Sequence, residues 1–150
     1  MEPPNGAQLL FRKCHRNGMH SKIVLGARVL LGLVFFVFGL NFFLHFLPQP
    51  PMPAAAGAFA GAMFATGYLF VLVKVVEVTS GLLLLVGRFV PLALALLAPI
   101  IVNIIFFHAF LAPAGIAIPL VVLALELFLA WSYRDVYRPM LAARAAPTNA

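Results

Sequence analysis

The sequence predicts an all-α membrane protein: a bundle of four transmembrane helices with a short interfacial helix on the outer surface between spans 1 and 2. Three observations lead there. Hydrophobic residues make up 64% of the 150 and charged residues 9%, against about 45–50% and about 25% in soluble domains, so lipid must cover most of the surface. The apolar residues gather into runs near the ~20 that carry a helix across a ~30 Å hydrocarbon core. Nine of the ten Lys and Arg border those runs, an arrangement that reads as membrane topology and excludes a nucleic-acid-binding face despite the net charge of +6. At about 25 residues per span and turn, the chain holds four spans with tails in one domain.

Residues 1–22 form a basic cytoplasmic tail carrying Arg12, Lys13, Arg16 and Lys22. Cys14, His15 and His20 do not make a metal site, because structural zinc needs four ligands at defined spacing and Cys14 is the only cysteine. A lone cysteine also excludes Cys-x-x-Cys redox chemistry by this chain. Residues 23–47 are the first span, too long for a signal-peptide core of about 7–15 residues. Gly32 and Gly39 share one face of it and permit close approach by another helix.

Pro48, Pro50, Pro51 and Pro53 interrupt helix after this span. The small-residue run 52–66 is too short to cross, and reads as an outer interfacial helix or as an extension of span 2 broken at Thr66-Gly67. Spans 2, 3 and 4 are placed at about 68–86, 89–111 and 116–133, with Gly87-Arg88 as the turn between 2 and 3 and Pro99 as a candidate kink. Residues 138–150 are a cytoplasmic tail with Arg138 and Arg144. The connections near 48–67 and 112–115 carry no Lys or Arg, so the positive-inside rule puts both termini in the cytoplasm, with Trp131, Tyr133 and Tyr137 at an inner aromatic belt.

Ionisable groups at membrane depth are functional candidates by default. By helical rise, Asn41, His45, Lys74, Asn103 and His108 fall in the outer half, Glu77 near the midplane, and Arg28 and Glu126 roughly 8 Å inside the cytoplasmic face. Asn41 and His45 lie four apart and are expected on one face. Lys74 and Glu77, three apart, can pair locally; Arg28 and Glu126 match in depth and are expected as a structural intramembrane ion pair. The catalytic candidates are Glu77 and Lys74, and the ligand-binding candidates Asn41, His45, Asn103 and His108. The outer layer reads equally as a ligand site or as helix glue.

The segments RVLLGLVFFVFGLNFFLHFLP, TGYL, EVTSGLLLLVGRFVPLALALLAPIIVNIIFFHAF and WSYRDVYRP resemble the DoxX family of small bacterial membrane proteins. The likeness covers about Arg28 to Arg138 and is most specific at Glu77-x-x-x-Gly81 and at LVGRFVP from Leu85 to Pro91. It implies a multi-pass inner-membrane protein similar in fold to the membrane subunits of thiosulfate:quinone oxidoreductase, and places Arg28, Asn41, Glu77, Gly81, Gly87, Arg88 and Asn103 on family-like positions. It implies no catalytic set.

The leading functional expectation is a membrane component of a redox system that acts with partner oxidoreductase proteins, with quinone or quinol as the cofactor met in the outer polar layer. Asn and His suit quinone oxygens, and Glu77 could pass protons. Haem is disfavoured, since His45 and His108 do not oppose one another at one depth. The alternatives are a small permease or proton-coupled exporter, which lacks the usual inverted repeat, and a non-catalytic membrane scaffold. The bilayer is the certain partner, and a homo-oligomer is compatible with the sequence.

Overall fold

The computed structural model describes the backbone of residues 6–48 and 51–137, and side chains from residue 19 onward within them. The side chains of Cys14 and His15, and the tail 138–150 with Arg138 and Arg144, lie outside the described residues. Helices are α1 (Gly6–Leu44), α2 (Ala54–Ala65), α3 (Leu69–Val86), α4 (Val90–Leu111), α5 (Ala117–Ser132) and α6 (Arg134–Tyr137), with a 3-10 turn at Pro113–Gly115. Three of them contain stretches long and apolar enough to cross a membrane: Met19–Leu44, Leu69–Val86 and Val90–Leu111.

Helix α1 departs from expectation at both ends. It starts at Gly6, so the backbone of the basic segment is already helical. It stops at Leu44, three residues short of the expected end, because His45 turns to a left-handed φ of 52°. The side chain of Asn41 holds the reversal: its Oδ1 accepts from Leu47 N at 2.6 Å and its Nδ2 donates to Leu47 O at 3.3 Å. A side-chain amide thereby replaces the helix partners that the backbone loses, which buried or lipid-immersed backbone requires.

Between α2 and α3 the helix breaks at Thr66-Gly67. Thr66 Oγ1 donates to Met63 O and accepts from Leu69 N, while Gly67 takes a φ of 76° that a side chain would disfavour. The α3–α4 turn follows the same logic. Gly87 at φ 77° terminates α3, with the N–H groups of Gly87 and Arg88 both returning to Leu83 O. Helix α4 runs on through Pro99.

Helices α1, α3, α4 and α5 share one core built from Leu31, Phe35, Leu84, Leu94, Leu97, Ile101, Val122 and Leu129. The α1–α3 contact is backbone against backbone. A Cβ on Gly81 would lie 2.6 Å from Phe36 N and 2.9 Å from Gly32 O, and one on Gly39 would lie 2.7 Å from Val78 Cγ2. Without water to drive apolar faces together, helices in lipid gain by such close approach over small residues. This seam turns Glu77, Ser80, Gly81 and Leu84 of α3 inward.

Candidate functional site

Glu77 sits one turn before Gly81, so the seam that seats the glycine also buries the carboxyl. It is 4% exposed, and its Cβ lies 3.3 Å from where a Cβ on Gly39 would stand. Lys74, one turn earlier on α3, donates from Nζ to Glu77 Oε2 at 2.7 Å, with side-chain exposures of 19% and 5% respectively. The pair solves the desolvation problem locally, since a charge alone in hydrocarbon costs about 3 kcal/mol on insertion scales.

Beside Lys74 is a group that sequence reasoning missed. Phe42 of α1, Phe64 of α2 and Phe70 of α3 meet with ring centroids 5.1–5.8 Å apart, and Lys74 Nζ stands 5.7 Å from the Phe70 centroid. Phe42 and Phe70 are stacked, with 22° between planes. Fifteen phenylalanines in the sequence mask any three of them; the available signal was that Phe70 lies one turn from Lys74.

The other outer-layer candidates are not gathered here. Asn41, 2% exposed, spends its amide on Leu47. His45 is exposed and outside the helix, so it does not share a face with Asn41. His108 Nδ1 is 2.9 Å from Ile104 O and its ring packs under Gly115. Asn103 is exposed on α4, whose buried face is Val90, Ala93, Leu94, Leu97 and Ile101, and it makes no hydrogen bond among the described residues. Helix rotation and the broken end of α1 separate residues that depth alone had grouped.

In the inner half, Arg28 and Glu126 are not within ion-pair distance. Among the described residues, Arg28 Nε and Glu126 Oε2 are both without a hydrogen-bond partner, as is Ser80 Oγ. The reason is visible at Gly87: the Arg28 guanidinium lies against it, with Cζ 2.7 Å from the position of a Cβ there. The cation has gone to the carboxyl-terminal end of α3, where the helix dipole favours positive charge. Arg28 also lines an open groove of about 360 Å³ with His20, Ser21, Val24, Leu25, Ser132 and Tyr133. Below it Tyr137 donates to Pro91 O at 2.7 Å, tying the end of the chain's last described helix to the start of α4. Burial, reinforced by the nearby Glu126 carboxylate, pushes the Tyr137 phenol up to about 12. Among the described residues, no three of His, Cys, Asp and Glu come together.

An apolar, all-helical chain with a charge pair buried in a glycine-packed seam defines a helical membrane protein of the small multi-pass kind. The DoxX family model matches residues 23–109, more than half of the chain, and the chain belongs to that family. No curated protein and no solved structure matches it.

Proposed function

We propose that this is a four-span inner-membrane protein with both termini in the cytoplasm, serving as the membrane component of a redox system whose partner proteins supply the electrons. The Lys74–Glu77 pair beside the Phe42–Phe64–Phe70 cluster carries this reading. Helix α5 has 16 residues, about 24 Å of rise, and shares the core with the three longer helices, which supports it as the fourth span. The short α2, set off by Thr66 and Gly67, supports an outer interfacial helix.

A quinone fits what these residues offer: flat rings match phenylalanine faces, a carbonyl oxygen accepts from an ammonium, and an isoprenoid tail stays in lipid. When bound, it would supply two-electron, two-proton exchange between quinone and quinol. Lys74, the more open member of the pair, donates the hydrogen bond that orients the headgroup. Glu77, behind it, fixes the Lys74 ammonium as its carboxylate partner and is placed to accept a proton. The phenylalanines exclude water from both.

The test is quinone extracted from the purified protein and measured by chromatography, alongside complementation of a deletion strain. Losing a charged hydrogen bond of about 1.5–3 kcal/mol should weaken retention about 10- to 100-fold in Lys74→Met. Glu77→Gln keeps shape and hydrogen bonding but not the proton, so it should fold, retain quinone and lose function. A folded Glu77→Gln protein with full activity, or equal quinone in all three proteins, ends this reading.

A further inference from the structure

The face of α4 turned away from the core carries a pattern that the proposed redox role does not use. Leu92, Leu96, Pro99, Asn103, Phe106 and Phe110 are all exposed. Their spacing alternates four and three residues, the heptad seam of a helix that packs along another. At 100° per residue they fall within an arc of about 80°, opposite Val90, Leu94, Leu97 and Ile101, which are buried. The stripe holds one polar residue. Asn103 lies about 20 Å from the start of α4 and about 12 Å from its end, so it sits within the hydrocarbon, and nothing among the described residues bonds to it.

We infer that this stripe is a homodimer interface in which Asn103 hydrogen-bonds to Asn103 of a second copy. Copies inserted in the same orientation are related by an axis along the membrane normal. A parallel pair of α4 helices about that axis therefore brings each residue to its own counterpart at equal depth. An amide is self-complementary, with two N–H donors and a carbonyl acceptor, so a second copy satisfies both side chains. A foreign helix would need its own polar group at that depth and register. One asparagine in an otherwise apolar heptad seam also fixes register.

The test uses the purified full chain with Cys14→Ser in liposomes, with single cysteines under oxidative cross-linking. Asn103→Cys, Pro99→Cys and Phe106→Cys should cross-link, whereas Leu72→Cys and Val121→Cys, exposed on α3 and α5, should not. Single-molecule photobleaching across protein densities should show Asn103→Leu raising the dimer dissociation constant about 3- to 20-fold, the range for interhelical hydrogen bonds in lipid, and Asn103→Gln restoring most of it. A monomer at every density, cross-linking strongest at Leu72→Cys or Val121→Cys, or an unchanged constant in Asn103→Leu would overturn the inference. So would cross-linking at Asn103→Cys in cells to a different protein while the liposomes hold monomers.

Discussion

Replacing Gly81 by Ala tests the close approach of α1 and α3 at their glycine seam. The new Cβ would stand 2.6 Å from Phe36 N, 2.9 Å from Gly32 O and 3.0 Å from Phe36 Cα. All three are backbone atoms of a helix, so no side chain can swing aside. Restoring ordinary contact at about 3.5 Å requires α1 and α3 to part by about 0.9 Å, and overpacking of that order costs about 1–3 kcal/mol. Alanine also gains about 0.8–1 kcal/mol of helix propensity over glycine, so Gly81→Ala alone mixes two effects. Gly26→Ala separates them, because a Cβ at Gly26 meets nothing within 4 Å and collects only the propensity gain. The two variants should therefore differ by about 1–3 kcal/mol, or roughly 2–12 °C in thermal midpoint for a chain of this size. Melting in one detergent, followed by helical circular dichroism, reads the difference. If Gly81→Ala melts at or above Gly26→Ala, the glycine seam is not a close contact and the burial of Glu77 loses its structural cause.

Tyr137 gives a pH-dependent companion. Its phenol goes from an ordinary 10.0 to about 12 in the fold, so the contribution of its bond to Pro91 is whole below pH 10 and lost as pH rises to about 12. Tyr137→Phe should cost about 0.5–1.5 kcal/mol at neutral pH and lack that alkaline loss; parallel midpoint curves from pH 9 to 12 would refute it. For topology, in a Cys14→Ser background an impermeant maleimide outside spheroplasts should label Pro113→Cys and spare Arg88→Cys. The reverse pattern would invert the proposed orientation.

The helices were legible because apolar runs, Gly87 and the proline cluster are one-dimensional signals. The Lys74–Glu77 pair was legible for the same reason: three residues on one helix fix both depth and direction. Pairings between helices were not. Arg28 and Glu126 agree in depth, yet depth says nothing of azimuth, and Arg28 found the end of α3 instead. Asn41 and His45 would share a face only in an unbroken helix, and Asn41 itself is the residue that stabilises the break. Gly32 and Gly39 announced a close contact, but their partners, Gly81 for Gly32 and Val78 for Gly39, required the fold.

The two halves of the bundle now differ in how their polar groups are satisfied, and that difference says where water enters. At one end and toward the middle of the bundle Asn41, Lys74, Glu77 and His108 all have partners inside the protein, whereas the exposed side chains of His45 and Asn103 have none among the described residues. At the other end Arg28 Nε, Ser80 Oγ and Glu126 Oε2 have none among the described residues. Unmet hydrogen bonds in hydrocarbon cost several kcal/mol each, so a dry inner half would be a poor design. The groove beside Arg28 is ample for several waters at about 30 Å³ each. Water in that groove would satisfy Arg28 without an ion pair. Ser80, one turn along α3 from Glu77, stands between the Arg28 end of that helix and the carboxyl, and the phenylalanine cluster stands on the carboxyl's other side, beside Lys74.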